Sequence, residues 1–103
     1  DAHHAIIPVA EPKPDAAWTA VDVVGPVCET GDTFAKQRPL PTMVAGDLLA
    51  FGTAGAYGAA MSSTYNTRPL IPEVLVKGAE FKVVRARPTF EQMRALESLP
   101  DWF

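Results

Sequence analysis

The sequence predicts an all-β domain, a barrel or a sandwich, with short helical additions and one C-terminal helix. Three observations indicate this fold class. The β-rich runs are short, turn residues with ten prolines in 103 residues separate them, and one helix-start signal lies near the C-terminus. Because 48% of the residues are apolar, the chain can form a core, and its length fits one small domain.

The first half of the chain alternates between predicted strands and loops. Residues 5–9 predict a short strand, which Pro8 restricts to the edge or end of a sheet. Residues 18–24 predict a second strand with largely apolar side chains on both faces, as in a strand buried between layers. Residues 33–41 are polar and broken by proline, which indicates a loop. Residues 48–51 predict a third strand.

Three glycines, Gly52, Gly55 and Gly58, recur at intervals of three residues around Tyr57. Two interpretations remain open for this segment. The glycines can let a ligand or another chain approach the backbone closely. Alternatively, the segment loosens into a short helix that runs on through residues 59–61.

The second half contains the clearest local signal, a β-hairpin. Residues 73–76 and 80–85 are rich in β-formers and flank the turn dipeptide Lys77-Gly78. A capping box follows, with Thr89 as the N-cap and Gln92 at the third helical position. It predicts a helix that Pro100 stops and that has one apolar face, formed by Phe90, Met93, Leu96 and Leu99.

Charge and composition argue against several classes of partner. The formal net charge of −3 provides no basic surface, so we expect no nucleic-acid partner. No apolar run reaches the roughly 18 residues that a bilayer-spanning helix needs, so we expect no membrane partner. One cysteine cannot form an internal disulfide, which fits a reducing cytosol.

The single cysteine lies in a segment of unusual polarity, residues 25–32, with the sequence Gly-Pro-Val-Cys-Glu-Thr-Gly-Asp. Its turn residues predict a shaped loop that carries Cys28 and Glu29. A lone cysteine is often a small buried hydrophobe and a glutamate a solvated loop carboxylate. A thiol beside a carboxylate, however, offers a proton donor and an ammonium receptor. We expect Asp32 to organise the loop.

Two more motifs follow in order: Ala-Gly-Ala-Tyr-Gly at residues 54–58 and Tyr-Asn-Thr-Arg-Pro at residues 65–69. With the cysteine loop and the hairpin, they resemble the C-terminal region of the diaminopimelate decarboxylases. These are pyridoxal-phosphate enzymes of the alanine racemase and ornithine decarboxylase group. The resemblance covers most of the chain, and it is specific because both the order and the spacing of the motifs agree.

The resemblance implies roles for three residues. Cys28 matches the proton donor that protonates the substrate's α-carbon after carbon dioxide leaves. A thiol suits this role, since ordinary thiols are mostly protonated near neutral pH. Glu29 matches the residue that binds the far ammonium of meso-diaminopimelate, and Tyr57 matches a tyrosine that reaches both substrate and cofactor. Neighbouring families that decarboxylate ornithine or arginine carry aspartate beside the cysteine, so Glu29 favours diaminopimelate.

The resemblance also implies an assembly. Residues 1–103 would form the C-terminal β-domain of a longer cytoplasmic decarboxylase that makes L-lysine, and its cofactor-binding (α/β)8 barrel is absent from this chain. In a homodimer, Cys28 and Glu29 would reach the site of the opposite subunit, and Tyr57 would serve its own. Pyridoxal 5'-phosphate would be attached through a lysine outside this chain. The four lysines present, Lys13, Lys36, Lys77 and Lys82, are expected to be surface charges.

Two further segments are expected to have structural roles, the one after Tyr57 and the histidine pair near the start of the chain. Tyr65, Asn66 and Arg68 match a family segment and are expected to fix a loop or a subunit contact, although Leu70 stands where many relatives carry arginine. His3 and His4 are adjacent and lack a second ligand cluster, so we expect a structural role and no metal.

The start at Asp1, without methionine, suggests an unnatural beginning, and an isolated chain is expected to be inactive. Two alternatives remain. One is a related decarboxylase of the carboxynorspermidine, arginine or ornithine type. The other is a free-standing β-domain that only binds partners.

Overall fold

The computed structural model describes residues 3–103, so the start at Asp1 lies outside the described residues. The chain divides into two compact units, one that ends at Met61 and one that runs from Ser62 to Phe103. Its length favoured a single domain with one core. The buried apolar cluster of the described residues belongs to the first unit.

The described residues form six strands and three short helices, which confirms the all-β class with helical additions. The first unit contains β1 (Ile6–Pro8), β2 (Trp18–Val24), β3 (Thr33–Pro41), β4 (Leu49–Phe51) and a 3₁₀ helix at Ala59–Met61. The second unit contains a 3₁₀ helix at Tyr65–Thr67, β5 (Glu73–Lys77), β6 (Glu80–Arg85) and α1 (Phe90–Arg94). Within residues 3–103, no helix has the length and apolar character that crossing a bilayer requires.

The strands pair as three antiparallel two-stranded sheets: β1 with β4, β2 with β3, and β5 with β6. The prediction of a loop at residues 33–41 was wrong, because this segment forms the nine-residue strand β3. Pro39 and Pro41 lie opposite Ala20 and Trp18, two residues apart. At that spacing both prolines can turn the position of their missing N–H away from β2, where no ladder bond is lost.

A bulge shapes the pairing of β2 and β3. Val21 lies opposite Arg38, but Val23 lies opposite Ala35, so β3 contains an extra residue in this interval. Asp22 Oδ1 accepts hydrogen bonds from the Gln37 backbone N–H at 2.8 Å and from Gln37 Nε2 at 3.2 Å. These bonds hold Gln37 at a φ of +49°, a value that non-glycine residues seldom adopt.

The core of the first unit is small. Ile6, Val23 and Leu40 are 7%, 9% and 4% exposed, and Leu49 and Phe51 pack against them. The prediction that β2 is buried between layers was wrong, since Val23 is its one buried residue and the other six are exposed.

The second unit confirms the predicted hairpin and capping box. Gly78, in the turn between β5 and β6, has a φ of +60°, which glycine adopts without steric cost. Thr89 Oγ1 accepts from the Gln92 backbone N–H at 3.1 Å, and the Gln92 side chain accepts from the Thr89 N–H at 2.9 Å.

The helix is shorter than its apolar pattern indicated, because α1 ends at Arg94. Leu96 and Leu99, expected on its apolar face, lie beyond the helix and are 90% and 74% exposed. Short helices depend on burial of an apolar face, and these two leucines supply none.

Candidate functional site

The loop that carries Cys28 and Glu29 connects β2 to β3. Its base is closed where the Gly25 N–H donates to the Asp32 carbonyl at 2.8 Å. Within it, the Glu29 N–H donates to Val27 O at 2.8 Å and the Asp32 N–H donates to Glu29 O at 3.0 Å. The predicted shaped loop is therefore confirmed, and short-range backbone bonds define its path.

Asp32 organises this loop, as expected. Its Oδ2 accepts a hydrogen bond from the Val27 N–H at 2.8 Å across the loop. The same carboxylate occupies the space that a Cβ at Gly25 would need, so no larger residue fits at position 25 without displacing it. Gly25 and Asp32 thus fix the two ends of the segment relative to each other.

The Glu29 carboxylate takes part in its own loop, which the sequence interpretation missed. Its Oε1 accepts hydrogen bonds from the Gly31 N–H at 3.0 Å and from the Thr30 hydroxyl at 3.4 Å. The signal that could have indicated this contact is the glycine two residues after the acid, a spacing at which side-chain oxygens cap backbone N–H groups in turns. The exposed Glu29 side chain is therefore oriented by its neighbours.

Cys28 lies in this loop and is exposed. Cys28 is therefore not part of the buried apolar cluster of Ile6, Val23 and Leu40. An exposed thiol on a loop of defined shape can meet a ligand or another chain and transfer a proton to it.

Tyr57 lies in a second loop, which follows β4, and is 70% exposed. The turn is closed by hydrogen bonds from the Ala59 N–H to Ala54 O at 2.7 Å and from the Ala60 N–H to Gly55 O at 2.9 Å. The alternative that the segment forms a short helix running on through residues 59–61 is confirmed only for its end, since the 3₁₀ helix covers Ala59–Met61. A Cβ at Gly58 would collide with the Ala54 carbonyl, so this glycine permits a close approach within the loop itself.

The backbone of Tyr57 is held in an uncommon conformation, with a φ of +60°. Bulky residues rarely adopt this region, and such strain persists only where the surrounding structure enforces it. The tight turn therefore presents the Tyr57 ring outward at a small cost in backbone energy.

The remaining sequence candidates belong to other segments of the chain. Tyr65, Asn66 and Arg68 belong to the second unit, where Tyr65 and Asn66 are part of a 3₁₀ helix and Asn66 has a φ of +59°. The four lysines are exposed, as expected: Lys13, Lys36, Lys77 and Lys82.

The two adjacent histidines differ in their surroundings. His4 is 8% exposed, and its Nδ1 lies 3.2 Å from the Gly52 carbonyl. His3 is exposed, and its Nδ1 accepts from Arg38 Nη2 at 3.4 Å. Across residues 3–103, no group of three or more His, Cys, Asp or Glu side chains has a geometry that could hold a metal ion.

Comparisons with known proteins give a consistent result. Residues 1–55 match the family model described as "Pyridoxal-dependent decarboxylase, C-terminal sheet domain". This match includes the loop with Cys28 and Glu29 and ends before Tyr57.

Individual relatives extend the match to nearly the whole chain. A diaminopimelate decarboxylase of Zymomonas mobilis is 45% identical over 102 residues, which are 99% of this chain and 24% of that protein. The crystal structure of the Helicobacter pylori diaminopimelate decarboxylase with L-lysine gives a TM-score of 0.79 at 39% identity, covering 92% of this chain and 23% of the other. The enzyme from M. jannaschii gives 0.85 at 32% identity, covering 98% and 23%. This chain thus spans about a quarter of the length of the proteins it matches.

Proposed function

Because this chain belongs to the family of C-terminal sheet domains of pyridoxal-dependent decarboxylases, we propose that it is the C-terminal β-domain of a longer diaminopimelate decarboxylase. The longer protein would convert meso-2,6-diaminopimelate to L-lysine and carbon dioxide in the cytoplasm. The support is the repeated match to diaminopimelate decarboxylases along 92–99% of the chain. The (α/β)8 barrel that binds the cofactor would lie outside residues 1–103.

Pyridoxal 5'-phosphate supplies an electron-withdrawing ring next to the substrate's α-carbon. The described residues fit contact with such a group at one point, the exposed phenol of Tyr57, which can donate a hydrogen bond to a phosphate or a carboxylate. Schiff-base lysines are usually desolvated, whereas the four lysines of this chain are exposed. We therefore assign the attachment lysine to the part of the protein outside this chain.

Cys28, which lies exposed on the loop between β2 and β3, would be the proton donor of the proposed reaction. Its S–H would donate a proton to the α-carbon once carbon dioxide has left. The loop holds Cys28 between Val27 and Glu29, both of which take part in hydrogen bonds that fix the backbone. A proton donor works best when it is positioned in advance, so these hydrogen bonds support this role.

Glu29 would bind the ammonium group at the far end of the substrate. Because its Oε1 accepts from Gly31 and Thr30, the carboxylate has a defined orientation in which Oε2 can accept a charge-assisted hydrogen bond. Because Glu29 is adjacent to the proton donor, the site would select substrates by the distance between the reacting carbon and the distal ammonium. Substrates with a different spacing or without that ammonium would bind less well.

The substrate assignment is tested with the full-length protein and a panel of amino acids. We expect carbon dioxide release from meso-diaminopimelate at a kcat/KM well above that for L-ornithine, L-arginine or carboxynorspermidine. A preference for one of the other three amino acids would show that the proposed substrate is wrong and that the proposed decarboxylation is right. The isolated 103-residue chain, given cofactor and substrate, should release no carbon dioxide, and turnover by it would refute the division of the active site.

The assembly proposed is a homodimer in which Cys28 and Glu29 reach the site of the opposite subunit, while Tyr57 serves its own. Two inactive variants can test it: Cys28→Ala, and a variant that lacks the attachment lysine. Random mixing would give one working site in each mixed dimer, which corresponds to about a quarter of wild-type activity. If the thiol serves its own subunit, the mixture stays inactive, because no site contains both groups.

A further inference from the structure

His4 is the buried polar residue of the first unit whose contacts lead to the loop of Tyr57. It is 8% exposed, and its Nδ1 lies 3.2 Å from the carbonyl oxygen of Gly52. A carbonyl can only accept a hydrogen bond, so Nδ1 carries the proton and donates it. Because the contact is partly shielded from water, leaving the Gly52 carbonyl without this donor would cost free energy.

Gly52 directly follows β4 and is the first residue of the Tyr57 loop. Its N–H donates to the Ala5 carbonyl at 2.7 Å, so both of its backbone polar groups are bonded to residues at the start of the chain. The next residue, Thr53, has a φ of +53°, and four residues further Tyr57 has a φ of +60°. The two residues with unfavourable backbone conformations, Thr53 and Tyr57, thus lie one and five residues after Gly52, whose backbone is held by hydrogen bonds.

The other side of His4 is connected to the sheet of β2 and β3. Arg38 Nη1 donates to the His4 carbonyl at 2.9 Å. Its neighbour Gln37 is fixed in the bulge by Asp22 through bonds of 2.8 and 3.2 Å. The backbone and ring of His4 thus join an anchored position on β3 to the start of the Tyr57 loop.

We propose that His4 is a positioning residue for Tyr57: its Nδ1–H fixes the Gly52 carbonyl and thereby sets where the phenol is presented. The proposal rests on the proposed function in so far as Tyr57 contacts substrate and cofactor. His4 itself touches neither of them. Loss of the hydrogen bond would leave the loop able to relax away from its two positive-φ conformations, and the phenol would spend less time in the productive position.

Two amide substitutions in the full-length protein separate the hydrogen bond from the volume of the ring. His4→Asn can place its amide nitrogen near the position of Nδ1, whereas His4→Gln places it near that of Nε2. His3→Asn is the matched control, since His3 is adjacent but exposed. We expect wild-type behaviour from His4→Asn and His3→Asn, and loss from His4→Gln.

The first measurement is hydrogen–deuterium exchange of residues 52–61 without substrate or cofactor, which needs no activity. We expect exchange at the Ala59 and Ala60 amides to rise about three- to tenfold in His4→Gln. Loss of the hydrogen bond from His4 to the Gly52 carbonyl would make opening of the loop easier by the free energy of one hydrogen bond. Exchange across residues 73–85 should stay unchanged. Equal exchange in His4→Gln and wild type, equal effects of the two amides, or a general rise that includes residues 73–85 would each overturn the proposal.

The second measurement is decarboxylation by His4→Gln, Tyr57→Phe and the double variant. If His4 acts through Tyr57, the double variant should be no slower than Tyr57→Phe alone, since coupled residues are not additive. Additive losses would contradict the proposal. Failure of the wild-type protein to release carbon dioxide from meso-diaminopimelate would instead count against the proposed function, and the exchange data would still decide whether His4 holds the loop.

Discussion

The two units of this chain differ in how their structure is held. The first unit buries Ile6, Val23 and Leu40 to 9% exposure or less, and its two candidate loops grow directly from the strands around that cluster. The second unit, described from Ser62 to Phe103, contains no buried residue, and Leu75 and Phe81 on its hairpin are 65% and 70% exposed. The groups that suit chemistry are therefore attached to the unit with its own core.

The second unit is built from local signals. A hairpin turn, a capping box and one ion pair between Arg85 and Glu73 at 3.2 Å all join residues close in sequence or on adjacent strands. Such signals specify the local conformation without a core, but they leave apolar surface in water. We expect that surface to be covered in the longer protein, and to promote self-association of the isolated chain.

The largest expected effect comes from truncating matched leucines, one in each unit. Leu40→Ala removes a side chain that is 4% exposed and should lower the free energy of unfolding by about 2–3 kcal/mol. Leu75→Ala removes one that is 65% exposed and should change it by no more than about 0.5 kcal/mol. Urea denaturation of the 103-residue chain, followed by circular dichroism, measures both values.

Equal costs for the two leucines would remove the distinction between the units. The same two substitutions test this distinction further in the full-length protein. If the hairpin is covered there, Leu75→Ala becomes more destabilising than in the isolated chain, while the cost of Leu40→Ala stays similar. An unchanged cost for Leu75→Ala would mean that nothing packs on that side chain.

A smaller effect is expected from glycine substitutions in the two loops of the first unit. Gly25→Ala places a methyl group where the Asp32 carboxylate lies and should cost about 1–3 kcal/mol. Gly55→Ala is the control, because nothing lies within 4 Å of its added Cβ. Adding Asp32→Ala should relieve part of the penalty at Gly25, so the double variant should be less unstable than the sum of the single ones. Strict additivity in urea denaturation would exclude the steric explanation.

The smallest effect is expected at the helix cap of the second unit. Thr89→Ala removes both the side-chain acceptor and the capping box, and should destabilise α1 by about 1 kcal/mol. Thr64→Ala is the control, since Thr64 precedes a 3₁₀ helix without a side-chain cap bond. Amide exchange at residues 90–95 should rise in the first variant alone. A matching rise in Thr64→Ala would show that the cap is not what holds the helix.

Features with a local cause could be predicted from the sequence. The hairpin, the capping box at Thr89 and the loop with Cys28 each depend on residues a few positions apart, and all three are confirmed. The fold class followed from the same signals. The resemblance to diaminopimelate decarboxylases was inferred from motif order, and a protein of that name is 45% identical over 102 residues.

Features that depend on distant residues could not be predicted. Residues 33–41 form a strand because their partner is β2, and the sequence alone did not indicate that the prolines fall at compatible positions. The exposure of most of β2 depends on how much of the chain packs against it. The hydrogen bond between His4 and Gly52 joins residues 48 positions apart, which no local pattern indicates. Burial and pairing are properties of the assembled chain, and local pattern determines them only in part.

The proposed reaction depends most on Cys28 as the proton donor. The direct test is steady-state decarboxylation of meso-diaminopimelate by full-length wild type and by Cys28→Ala. Cofactor absorbance should be the same in both, because the thiol does not attach the cofactor. We expect kcat to fall about a hundredfold or more in Cys28→Ala, as for other lost general acids. A variant that binds the cofactor normally and keeps most of its rate would contradict the account.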